Sequence, residues 1–216
     1  LDTLSPSYKL LTTNSASWIA TTEGLNTSYF DSISINTDVR SPQPRPCGGG
    51  FDKGRDWRWI PLLEAKSKTG EWKGNPLTCT VHSDGPYKGG VWVSCGITDP
   101  KTYMDPAILK LIKETALRIR QGLFIVDGGS NFYTYFADQS IRLGARIVNV
   151  GKTEKINIPV ILTLLNSKTQ KNVFSKQINI TVIPGQTVNV SELFTPSVWP
   201  QTGMTASAML IFNGIP

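Results

Sequence analysis

From about Ser140 to Pro216 the chain repeats one pattern. IRLGARIVNV, INIPVILTLLN, NVFSKQINITVI, QTVNV and TASAMLIF alternate apolar and polar residues, and the clusters NVGKTEK, NSKTQKN and PGQ separate them. A period of two marks strands that bury one face and expose the other. Five such segments, with turn-forming residues between them and no helical periodicity, predict a β-sandwich of immunoglobulin-like layout.

The part before it is mixed. Residues 1–46 are rich in Ser, Thr, Asn and Pro, with strand-like pieces at Tyr8–Thr12 and Ser32–Asn36. SPQPRP at 41–46 has to run extended, because each proline fixes φ and restricts the residue before it. WIPLLEA (Trp59–Ala65) reads as a buried strand and KSKTGEWKG as its exposed connection. Residues 76–83 and 90–97 read as a hairpin turning through DGPYKGG. One helix follows. Asp105 is a suitable N-cap and Pro106 suits the first helical position. Ile108, Leu111, Ile112, Thr115, Ala116 and Ile119 recur at helical spacing, Arg118 and Arg120 oppose the dipole, and Gly122 stops the helix. LFIV (Leu123–Val126) is the next strand. The fold class expected is therefore mostly β, α+β overall. Residues 1–128 form a mixed α/β region with one helix, and residues 129–216 form the immunoglobulin-like sandwich.

Composition excludes several classes. Lys and Arg exceed Asp and Glu by six, but the excess is +3 in residues 1–125 and +3 in residues 126–216. A nucleic-acid surface gathers its cations on one element, so no nucleic-acid partner is expected. No apolar run approaches the ~18 residues that a membrane span requires. No apolar leader follows Leu1, which leaves a mature chain, a fragment or a cytoplasmic protein open. The triplets at Asn26, Asn179 and Asn189 fit N-glycosylation and favour an extracellular, secreted setting. Asn179 is expected on the face opposite Ile178, Ile180 and Val182, where a glycan has room.

Three cysteines and one histidine offer no metal-ligand spacing, and neither a metal nor a cofactor is expected. Cys47, beside Pro46 and Gly48, is a loop thiol. If the hairpin turns at Pro86–Tyr87, Cys79 and Cys95 face each other on its apolar side. Either a cross-strand disulfide or two buried thiols would satisfy that placement.

Gly50–Asp99 holds Trp57, Trp59, Trp72 and Trp92, four of the six tryptophans, among glycines, and the sole histidine, His82. Trp–Gly segments suit stacking against flat partners such as sugar rings. Trp57 and Trp59, with Arg55 and Arg58 interleaved, would either stack a sugar or point to opposite faces with one capping the core. Trp92 lies opposite the apolar face of its strand and Tyr87 sits at the hairpin tip, so these two make the better exposed platform. His82 shares an outward face with Thr78 and Thr80 and reads as a surface or interface histidine. Asp52, Asp56 and Glu64 would be the carboxylates for glycoside hydrolysis. The two aspartates have turn-forming neighbours, and Glu64 in an apolar strand needs a partner such as Arg58 or Arg40. Asp127-Gly-Gly-Ser-Asn after LFIV lacks both the G-x-G-x-x-G order and the lysine of a phosphate loop and reads as a junction between the two regions. Phe132, Tyr133, Tyr135 and Phe136 are expected to join them.

RDWRWIPLLEAKSKTGEWKG, GPYKGGVWVSCGITDP and the helix after them resemble the last part of the glutamine-amidotransferase-like domain of large glycoside hydrolases, with beta-galactosidase-type enzymes the nearest group. Residues 140–216 resemble the immunoglobulin-like module that adjoins the catalytic barrel in such enzymes. The resemblance covers about three-quarters of the chain and implies architecture more than chemistry. The family's catalytic acids lie on a barrel, which 216 residues do not accommodate beside these regions. The Cys–His–Glu set of amidotransferases is also missing, because no Gly-x-Cys-x-Gly elbow occurs. No catalytic residue carries over. What the resemblance implies is a non-catalytic, carbohydrate-associated accessory segment of a secreted glycoside hydrolase, partnered by carbohydrate and by the catalytic barrel of the same parent protein. The alternative is an extracellular structural or adhesive subunit that self-associates through strand edges. A third reading is an independent hydrolase using Glu64 with Asp56.

Overall fold

A computed structural model describes residues 2–4, 8–12, 33–35, 54–67, 69–97, 100–132, 134–136, 139–197 and 203–211. Asn26, Arg40, Cys47, Asp52, Tyr133 and the 41–46 segment lie outside the described residues. The fold is mostly β with a single α-helix among those described. The chain forms two compact units. One comprises Leu1–Pro44, Trp59–Val81 and Val91–Gln121; the other comprises Arg45–Arg58, His82–Gly90 and Gly122–Pro216.

In the first unit β1 (Asp2–Leu4) pairs antiparallel with β3 (Ile33–Ile35). A four-stranded sheet has the order β2-β4-β5-β6, from β2 (Tyr8–Thr12), β4 (Trp57–Ser67), β5 (Trp72–His82) and β6 (Val91–Cys95). Most of KSKTGEWKG is strand rather than connection, because the chain reverses in the few residues around Gly70, whose φ of 83° suits glycine. Leu62 and Leu63, successive and therefore on opposite faces, are both buried. That strand is covered on both sides. The hairpin register sets Leu77 opposite Cys95, Cys79 opposite Val93 and Val81 opposite Val91. The turn centres on Pro86, one residue earlier than facing cysteines require, so the two cysteines are offset by two residues, one strand period.

The helix α1 (Pro106–Gln121) starts where expected, with the Asp105 carboxylate accepting the Ala107 N–H at 2.8 Å. Its buried stripe is Ile108, Leu111, Thr115 and Arg118, narrower than the expected face. Ile112, Leu109, Ala116 and Leu117 are exposed. Burial lowers the Arg118 guanidinium to about 10, so this residue serves the interior rather than only the dipole.

The second unit is a sandwich. Its strands are β7 (Leu123–Ser130), β8 (Ile141–Asn149), β9 (Lys155–Asn166), β10 (Asn172–Val182), β11 (Thr187–Phe194) and β12 (Met204–Leu210). They form two antiparallel sheets, β11-β8-β7 and β10-β9-β12. This is the A-B-E and C′-C-F order of immunoglobulin-type sandwiches. One core draws on both: Ile141, Leu143, Ala145 and Ile147 of β8 with Ile158, Val160, Leu162 and Leu164 of β9, at strict two-residue spacing. Each such side chain contributes about 1.5–3 kcal/mol when fully buried.

Asp127-Gly-Gly-Ser is not a junction loop. It is the second half of β7, with Asp127 opposite Arg146 and a bulge between Ile125 and Asp127. Of the aromatics that follow, Phe132 and Phe136 are exposed, while Tyr135 packs on the sandwich core. Gly122 ends the helix with φ 73° and meets the 150–151 turn closely; a Cβ there would lie 2.3 Å from the Gly151 nitrogen. Only glycine fits that approach.

Asn149 is fully buried and satisfied. Its amide donates to the Thr153 carbonyl at 2.9 Å and the Val182 carbonyl at 2.8 Å, and its Oδ1 accepts from Gly151 at 3.0 Å. Its backbone exchanges bonds with Gln186 and Gly185. Asn149→Ala leaves two carbonyls, the buried Val182 carbonyl among them, and one N–H without these partners, and is expected to lower stability by roughly 1–3 kcal/mol. Chemical denaturation checks this; a midpoint unchanged from the wild type would contradict it.

Candidate functional site

The structure places the expected site residues as follows. Trp92 on β6 is 53% exposed and Tyr87 at the hairpin tip is 58% exposed. Trp57 and Trp59 are half-buried, and their two-residue spacing on β4 gives them the same side of the strand, not opposite sides. Asn179 and Asn189 are exposed. Cys79 and Cys95 are free thiols, the first buried and the second exposed, because the register offsets them. Burial pushes the Cys79 thiol up to about 12. Cys95 Sγ lies 3.0 Å from the Tyr103 hydroxyl, which donates to the Ile97 carbonyl at 2.6 Å.

Of the two arginines expected beside Glu64, Arg40 lies outside the described residues and Arg58 is turned to another partner. Glu64 pairs with Lys66 at 2.9 Å, two residues along the same strand, in the ordinary structural role of a half-buried carboxylate. Arg58 instead donates to the Val126 carbonyl at 3.2 Å. Burial lowers its guanidinium below the usual range; Asp127 opposes that effect and Arg55 adds to it.

A local structure in the second unit joins residues that no sequence motif linked. Residues 83–89 form a loop closed by the His82 N–H, which donates to the Gly90 carbonyl at 2.9 Å, and the Gly89 N–H, which donates to the His82 carbonyl at 2.9 Å. Two glycines shape it: Gly85 has φ 74° and Gly89 has φ 84°. The Asp56 carbonyl accepts the N–H of Ser83 at 2.7 Å, the N–H of Asp84 at 2.9 Å and the Ser83 hydroxyl at 3.1 Å. This fixes the loop against the 54–58 segment. The Arg146 guanidinium donates to the Arg55 carbonyl at 2.8 Å, and the Thr187 hydroxyl donates to the Ser83 carbonyl at 3.5 Å. Both segments are thereby tied to the outer face of the β11-β8-β7 sheet.

These ties surround an open depression of about 360 Å³ lined by Gly54, Asp56, Asp84, Arg146, Thr187 and Asn189. Arg146 and Asn189 are direct cross-strand partners, and Thr187 shares their outward face. The Asp56 carboxylate lies over Gly85, where an added Cβ would meet it at 3.2 Å. The lining is polar, with two carboxylates, one guanidinium, an amide and a hydroxyl.

His82 is the main correction to the expected site. It is 7% exposed, with its ring 5.5 Å from Tyr87 in an edge-on contact and 6.1 Å from Trp57. The strand face that it shares with Thr78 is covered, so it is not a surface histidine. Burial lowers its pKa and the Asp56 charge opposes that shift without reversing it. The sign follows from linkage. The unfolded chain protonates His82 near its ordinary 6.5, while the folded protein resists the proton, so stability falls as pH drops below about 6.5. NMR titration is expected to place His82 below 6.5, and His82→Gln to weaken the loss of stability between pH 7 and pH 5. A midpoint above 6.5 would contradict this.

Among the described residues no group of three or more His, Cys, Asp or Glu is arranged to hold a metal ion, and no helix is long and apolar enough to cross a membrane. No protein-family model matches the chain, and neither does any curated protein.

Proposed function

We propose that the chain is a non-catalytic, carbohydrate-associated accessory segment of a secreted glycoside hydrolase-like protein. The observation that carries this reading is the exposure of Trp92 on β6, beside the well-buried strand β5. Placing a large apolar ring in water is unfavourable unless a partner covers it, and a pyranose ring presents the flat C–H face that an indole covers. Tyr87, exposed at its own position, offers a second ring of the same kind. The outer side of α1 supports packing against a larger body: Leu109, Ile112 and Leu117 are exposed on a helix whose other side is already buried.

The reading is tested by calorimetry of the full chain with neutral plant and microbial oligosaccharides. Trp92→Ala is expected to weaken binding at least tenfold, about 1.4 kcal/mol, without altering the unfolding midpoint. No binding by the wild type to any of them would overturn the reading.

A second reading, self-association through strand edges, rests on one observation. Among the described residues β12 ends the β10-β9-β12 sheet, at the position beside which immunoglobulin-type sandwiches carry a further strand. Under this reading light scattering shows a mass that rises with concentration, and Ala206→Pro on that edge abolishes the rise. A constant monomer mass counts against it.

A further inference from the structure

We propose that the depression lined by Gly54, Asp56, Asp84, Arg146, Thr187 and Asn189 is a subsite for a single neutral saccharide unit. The inference rests on the carbohydrate reading above and adds a place and a selectivity to it. Its volume of about 360 Å³ is at the lower end of ligand sites, enough for one ring rather than a chain segment.

The chemistry of the lining matches polyhydroxylated ligands. A sugar hydroxyl is both donor and acceptor, so a site that holds vicinal hydroxyls needs acceptors and donors side by side. Asp56 and Asp84 are acceptors, Arg146 and the Asn189 amide supply N–H groups, and Thr187 supplies a hydroxyl. Planar carboxylate, guanidinium and amide groups each engage two neighbouring hydroxyls at once. The groups are also held in advance. Strand register sets Asn189 opposite Arg146, whose guanidinium is held on the Arg55 carbonyl at 2.8 Å, and Asp84 is held by the N–H of Gly85 at 3.0 Å and by the backbone bond to Asp56. Groups fixed beforehand lose little freedom on binding.

Charge sets the selectivity. Two carboxylates face one guanidinium, so the lining carries one net negative charge at neutral pH. An anionic sugar such as a uronate would bring a second negative charge against Asp56 and Asp84, and a neutral ring would not. Asp84 and Asp56 both line the depression and are exposed, and Asp84 is the one whose side chain is not itself placed over Gly85.

The test is NMR-monitored titration of the full chain, produced in bacteria so that Asn189 carries no glycan. The probes are a panel of neutral oligosaccharides (gluco-, galacto- and manno-configured) and the corresponding uronate oligomers. Wild type is expected to bind at least one neutral series and to bind its uronate counterpart at least tenfold more weakly. Asn189→Ala and Thr187→Val are expected to reduce neutral-sugar affinity at least fivefold. Asp84→Asn keeps an acceptor for the Gly85 N–H but removes the charge, so it is expected to narrow the neutral-to-uronate ratio. Dispersed amide spectra of each variant establish that it is folded. If the pocket variants bind neutral sugars as the wild type does, while Trp92→Ala abolishes binding, the subsite is overturned and the carbohydrate reading stands. If the uronates bind as tightly as the neutral sugars, the selectivity is overturned. If the wild type binds no saccharide of either kind, the carbohydrate reading falls and the subsite with it.

Discussion

The buried side chain of Asn149 organises the sandwich. Its three side-chain hydrogen bonds reach the 151–153 turn and the end of β10, and its backbone holds the turn between β10 and β11. An apolar residue could fill the same volume, but it would leave the buried Val182 carbonyl, the Thr153 carbonyl and the Gly151 N–H without these partners. A satisfied polar group of this kind sets where strands end as well as how strongly they hold. Here it sets the end of β8 and the start of β11.

That placement reaches the outer surface. With the 183–186 turn fixed, Thr187 enters β11 opposite Val148 and Asn189 falls opposite Arg146. A slip of one residue would turn both side chains into the core. The same strand that buries Ile147 and Ala145 inward therefore presents Arg146 outward, where it grips the Arg55 carbonyl. The Asp56 carbonyl, with its three donors, gathers the hairpin loop to the same place. A polar depression results from backbone bonding between segments far apart in sequence.

Much of the architecture was legible from residue pattern. The two-residue alternation after Ser140 gave the sandwich strands, and Asp105, Pro106 and Gly122 marked the helix ends, because these signals act over a few neighbouring residues. The hairpin register was not legible to the residue: seven loop residues admit several closures, and a shift in the turn centre separates Cys79 from Cys95. Helix spacing marked a wider apolar face than the one buried, since periodicity states which residues line up and not how far a neighbour extends over them. The pocket left no local signal. Arg146 and Asn189 look like ordinary solvated positions on alternating strands, Asp56 and Asp84 like turn residues, and only the fold brings them to one rim. His82 was misplaced for a related reason: strand parity gives the side on which a residue lies and not whether that side is covered.

The neutral-sugar subsite proposed for the second unit rests on strand register and not on a catalytic motif. The most direct measurement is the NMR response of the side-chain N–H groups of Asn189 and Arg146 as a neutral oligosaccharide is added to the full chain. The account predicts saturable shifts at these two groups and at the backbone of Asp84 and Gly85, with the buried Asn149 amide unchanged. Saturable binding that moves none of the four would contradict it.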